Sequence, residues 1–121
     1  MPVVHVVTFT FAADILEEVT GALRAALDDL AARANALFYQ HGPDIGIRDG
    51  NAHYAVTAIF ADRRTFQAYV DSAEHQQLIR DHVRPYLQSR SAVQYDLASD
   101  QLSAATHLAS AASVEKLQRY P

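Results

Sequence analysis

The stretch Pro2 to Phe11, PVVHVVTFTF, constrains the fold more than any other part of this chain. β-branched and aromatic residues run through it without a charge, which is the composition of a strand. Strand alternation sends Val3, His5, Val7, Phe9 and Phe11 to one face and Val4, Val6, Thr8 and Thr10 to the other. Both faces are largely apolar. One face must therefore meet helices, and the other must meet a further apolar surface. No Lys or Arg precedes the run, so it reads as a strand and not as a signal peptide.

The remaining pattern supplies partners for that strand. Asp14, with Glu17 three residues on, predicts the N-terminus of a long helix whose buried stripe is Leu16, Val19, Leu23, Leu27 and Leu30. The helix fades near Asn35. A second strand is expected over Ala36–His41, with a turn or bulge at Gly42-Pro43-Asp44 and extended structure again at Ile45-Gly46-Ile47. Arg48-Asp49-Gly50-Asn51 carries hairpin chemistry and leads into a third strand, His53–Phe60. Ala61–Leu87 reads as helix, break, helix. Phe66, Tyr69 and Val70 fall on one helical face, and Ser72 caps a second helix carrying His75, Leu78, Ile79, His82, Val83 and Tyr86. Ser91–Leu97 is the fourth strand, with Val93, Tyr95 and Leu97 on one face.

The order βαββαβ predicts an α+β, ferredoxin-like domain over residues 1–97, an antiparallel sheet with helices on one face. The uncovered face would be apolar, and a sheet-to-sheet homodimer is the simplest remedy. Residues 98–121 are rich in Ala and Ser with spaced Leu and Val, and predict a helical C-terminal extension packing on the domain or its partner.

Composition narrows the function. A net charge of -4 and a pI near 5.8 argue against nucleic acid as a partner. Without cysteine there is no thiol nucleophile and no thiolate metal site. No apolar run approaches membrane-spanning length, and a cytoplasmic protein is expected. Six His raise the question of a metal, but no HxH or HxxxH spacing occurs, so no metal and no cofactor are predicted. Phosphate-binding loops and the GxSxG of serine hydrolases are absent from the sequence.

Three side chains carry the acid–base candidates. Tyr69 and His75 straddle the corner between two helices, where an imidazole and a phenol make a proton-transfer pair. His5 interrupts an apolar strand, and a buried His needs a partner. Phe9, Tyr54, Phe38 and Tyr95 are candidates for lining a binding space, although only one alternating set of strand residues can do so. Tyr39 and His53 read as strand packing residues, and His41, His82 and His107 as surface or packing residues.

His5 in an apolar strand ending in Phe, the hairpin HGPDIGIRDGNAHYAVTAIF and the string Tyr69-Val-Asp-Ser72-Ala73-Glu-His75 together resemble the stress-responsive dimeric α/β-barrel (Dabb) domains. The family's usual string is Tyr-x-x-His-Pro-x-His. Here Ser72 and Ala73 replace the first His and the Pro, while Tyr69 and His75 are kept. The resemblance covers about Val3 to Leu97. It implies a dimeric α/β barrel and, by its best-understood enzyme type, the olivetolic acid cyclase-type polyketide cyclases, an intramolecular aldol closure driven by His75 and Tyr69 with help from His5. The implied partner is an apolar, oxygenated, polyketide-like molecule. A non-catalytic stress or binding protein and a cofactor-free monooxygenase are the alternatives on the same fold.

Overall fold

A computed structural model of the chain describes residues 1–12, 16–98 and 100–101. It has a ferredoxin-like α+β architecture. The elements are β1 (Val3–Phe11), α1 (Leu16–Arg33), β2 (Phe38–Pro43), β3 (Tyr54–Phe60), α2 (Arg63–Asp71), α3 (Ala73–Leu78) and β4 (Leu87–Asp96). All neighbouring strands are antiparallel, in the order β2-β3-β1-β4. The apolar first strand is thus central, with both of its edges paired.

The main core lies between one sheet face and the helices. Val7, Phe9 and Phe11 of β1 and Tyr54, Val56, Ala58 and Phe60 of β3 meet Val19, Leu23, Leu27 and Leu30 of α1. Val19, Leu23, Leu27 and Leu30 of the expected stripe are therefore buried. The helix ends at Arg33, close to the expected Asn35, whose φ of 51° is the left-handed conformation that stops a helix. The proposed cap Asp14 lies outside the described residues, as does the tail helix apart from Asp100 and Gln101, which are helical. Among the described residues no helix is long and apolar enough to cross a membrane.

Several boundaries differ from the sequence reading. β2 starts at Phe38 and continues through Pro43, and β4 begins at Leu87. Ile45 and Ile47 belong to an exposed loop instead of an extended segment. That loop is closed by Asp44, whose carboxylate accepts from the Gly46 amide at 3.0 Å and from the Asn51 side chain at 3.1 Å. The second helix of the corner is also not one continuous α-helix. α3 ends at Leu78, a π turn follows over Ile79–Val83, and a 3₁₀ turn over Arg84–Tyr86 leads into β4. Pro85 accounts for this, since it has no N–H and its ring would strike the carbonyl four residues back. The Arg84 amide bonds to the Ile79 carbonyl, which widens the last turn.

The corner between α2 and α3 is built as the sequence predicts. Asp62 caps α2 by accepting from the Thr65 amide at 2.8 Å. Ser72 serves both helices: its Oγ donates to the Tyr69 carbonyl at 2.8 Å and accepts from the His75 amide at 3.1 Å. One hydroxyl thereby fixes the backbone at Tyr69 and at His75. Ser72→Ala is expected to cost about 1 kcal/mol, the usual loss for a helix N-cap. Urea unfolding of the variant beside the wild type measures it, and equal midpoints would show that the cap contributes nothing.

Candidate functional site

The sheet register assembles the site. Tyr39 pairs with Ala58, Ala58 with His5, and His5 with Gln94. These four residues form one row across all four strands. Directly paired residues share a face, so the row lies on the helix side. Ala58 is the small member, fully buried between two rings. The adjacent Tyr69 drops from α2 onto this row.

Around Tyr69 the aromatic groups converge. Its ring centre lies 4.8 Å from His75, 4.9 Å from Phe60, 6.0 Å from Tyr39 and 6.3 Å from His5. His5 also lies against Phe66 at 5.0 Å. The sequence candidates His5, Tyr69 and His75 are therefore brought together, on the same side of the sheet. The Tyr69 hydroxyl is 2.7 Å from that of Tyr39.

Hydrogen bonding distinguishes the two histidines. The Gln94 amide nitrogen is 2.9 Å from His5 Nδ1. An amide NH₂ only donates, so His5 Nδ1 accepts and Nε2 carries the proton. The His75 ring instead bonds to the Val70 carbonyl. A carbonyl only accepts, so that ring nitrogen carries the proton and the other carries a lone pair, with no partner among the described residues. His5 is thus a donor and His75 an acceptor. Burial is the main reason that both stay neutral. It pulls His5 down to about 4, helped by His75 and Arg90 nearby. It lowers His75 as well, with the Val70 carbonyl opposing and Arg90 assisting. Burial raises Tyr69, and its hydrogen bond with Tyr39 partly offsets that rise.

A cavity of about 380 Å³ opens at the corner, lined by Leu30, Ala34, Arg64, Ala68, Tyr69 and Ser72 among others. A second, of about 400 Å³, lies beyond His5 and is lined by Phe66, Gln94 and Tyr95 among others. Both are within the range of small-molecule sites. Tyr69 lines the first and neighbours of His5 line the second, so the ring cluster stands between two openings.

The binding candidates separate by face. Phe9 and Tyr54 are paired with each other on the helix side and almost wholly buried. Phe38 and Tyr95 stand in the next register row, Phe38–Ile59–Val4–Tyr95, on the other face of the sheet. Strand parity puts these two on the opposite face from His5, Tyr69 and His75, although Tyr95 still borders the second opening beside Phe66 and Gln94.

Sequence reasoning passed over a second polar chain. His41 Nε2 lies 2.7 Å from Asp28 Oδ1, and His41 Nδ1 lies 2.7 Å from the Tyr54 hydroxyl. Ionised Asp28 only accepts, so the imidazole donates to it and takes the Tyr54 proton at Nδ1. Burial, above all, pushes the Tyr54 phenol up to about 12. The signal in the sequence was the period of two shared by Tyr39 and His41, but the partners on α1 and β3 are remote. His53 is also tied down, with Nδ1 accepting from the Phe11 amide at 2.9 Å. Among the described residues no group of three or more His, Asp or Glu is arranged to hold a metal ion.

Comparison with known proteins supports the fold. No family model matches the chain, and no curated protein matches it. Solved structures do. A dimeric ferredoxin-like protein of unknown function from Thermobifida fusca is 28% identical, with a TM-score of 0.74 over 80% of this chain and 92% of that one. A Dabb family protein from Mesorhizobium loti is 19% identical, with a TM-score of 0.67 over 81% and 98%. The hydroxynitrile lyase of Passiflora edulis is 16% identical, with a TM-score of 0.69 over 81% and 94%. The domain shares its ferredoxin-like fold with that Dabb family protein.

Proposed function

We propose that this Dabb-type domain is a cofactor-independent small-molecule enzyme of lyase type, closing a ring in an apolar poly-β-keto substrate by an intramolecular aldol step. The observation that carries the reading is the Tyr69–His75 pair, rings 4.8 Å apart, in which one His75 ring nitrogen has no hydrogen-bond partner among the described residues. That nitrogen takes a proton from a carbon between two carbonyls. The Tyr69 hydroxyl bonds to the oxygen where the enolate charge develops. The enolate carbon then attacks a distant carbonyl of the same molecule, one carbon–carbon bond forms, and the new alkoxide takes the proton back from the His75 imidazolium. His5, protonated on Nε2, orients a substrate oxygen. A hydroxynitrile lyase on the same fold supports lyase chemistry in this scaffold. The cyclase class rests on the Tyr69 to His75 string.

Turnover of a poly-β-keto substrate panel tests the proposal, with Tyr69→Phe removing the hydroxyl and keeping the ring. Product formation that depends on the hydroxyl supports it. Saturable binding without turnover would replace it with the reading of a binding protein.

A homodimer is part of the proposal. The row Phe38–Ile59–Val4–Tyr95 and its neighbours Val6 and Val93 form an apolar strip on the face away from the helices, where Val93 and Tyr95 are 53% and 51% exposed. Solved proteins of similar fold are described as dimeric. Sedimentation velocity at micromolar concentration is expected to give a dimer for the wild type and a monomer for Val93→Glu/Tyr95→Glu. A monomeric wild type would overturn the assembly.

A further inference from the structure

We propose that Tyr39 is a positioning residue of this site, its phenol donating to the Tyr69 oxygen so that the Tyr69 proton is free for the substrate. The inference rests on the acid–base reading above. Tyr39 belongs to β2 and enters the row through its pairing with Ala58. Its hydroxyl lies 2.7 Å from that of Tyr69. Each phenol has one proton, and one of the two protons occupies this bond. If Tyr69 were the donor, its proton would be spent on Tyr39 and could not reach a substrate oxygen. With Tyr39 as donor, charge building on the Tyr69 oxygen as its proton shifts to the enolate meets an O–H already aimed at it. Such a bond is stronger to a charged than to a neutral acceptor, so it favours the transition state over the ground state.

The surroundings fix Tyr39 in that role. Its ring meets His41 edge-on at 6.3 Å and 73°. Asp28 and Tyr54 hold His41 on both nitrogens. Burial, first, and Tyr69, second, keep the Tyr39 phenol well above the usual phenol range, so it remains the proton carrier of the pair.

Tyr39→Phe retains the ring and removes the donor. kcat on the poly-β-keto panel is expected to fall about tenfold with KM changed less than about twofold, the equivalent of one hydrogen bond made mainly in the transition state. A second readout needs no activity. With tyrosine labelled at Cζ, and the Tyr69 resonance assigned by its loss in Tyr69→Phe, the ionisation of Tyr69 is expected to move to higher pH in Tyr39→Phe. An unchanged Tyr69 titration would overturn the proposal, whatever happens to the rate. A moved titration with no turnover even in the wild type would keep the Tyr39–Tyr69 coupling and remove the cyclase reading instead.

Discussion

His75→Ala is expected to lower kcat by about 10²–10⁴-fold, the range for a positioned general base, with KM little changed. The reason is specific to this imidazole. One of its nitrogens donates to the Val70 carbonyl, which leaves the other as an acceptor beside Tyr69. The amide of His75 is held by Ser72 independently of the ring, so alanine leaves the helix start intact. The loss should therefore appear in the chemical step, as expected for an interaction made chiefly in the transition state. Because burial lowers the His75 pKa, the base is already unprotonated at neutral pH, and kcat should hold down to pH values below 6.5 before it falls. Steady-state kinetics across pH on wild type and His75→Ala provide the check. A loss confined to KM would show that His75 only binds.

Acid should weaken the fold through His5. In the folded chain His5 is 5% exposed and ionises near 4, against 6.5 in the unfolded chain. Above 6.5 both states hold the neutral ring and its burial carries no ionisation penalty. As pH falls below 6.5 the unfolded chain takes up a proton that the folded chain refuses, so stability declines down to about 4, where the folded ring ionises too. The span corresponds to about 3 kcal/mol for a full shift, an upper figure because buried sites relax. His75, lowered in the same direction, adds to the trend. Urea unfolding at pH 7.5 and at pH 4.5 should show the decline, and His5→Gln should flatten much of it. Equal pH dependence in wild type and His5→Gln would assign the acid sensitivity to other groups.

The two predictions draw on different kinds of information. The burial of His5 and its need for a polar partner were legible from the strand alone, because a His within a run of Val and Phe has no water to turn to. The Tyr69–His75 corner was legible too, since a Ser at the break caps a helix by local geometry. Tyr39 and His41 were read as packing or surface residues because nothing within β2 identifies their partners. Those partners come from α1, α2 and β3, and sequence separation hides them. Equally, Phe38 and Tyr95 look like Phe9 and Tyr54 in one dimension, and only the register decides which pair shares a face with the site.

By itself, then, the sequence determined what local periodicity can encode: the βαββαβ order, a first strand apolar on both faces, the buried stripe of α1 and the capped corner. The tertiary structure decided what depends on pairing between distant segments. It placed Tyr39, Ala58, His5 and Gln94 in one row, and it fixed through Gln94 and Val70 which histidine donates and which accepts. Pro85 was visible throughout, yet the π turn that it enforces was settled only when β4 had to begin at Leu87. The physical reason is common to these cases. Side-chain direction along a strand or helix follows from backbone geometry over a few residues, whereas a hydrogen-bond partner is chosen by strand register, where a shift of one residue exchanges the two faces of the sheet.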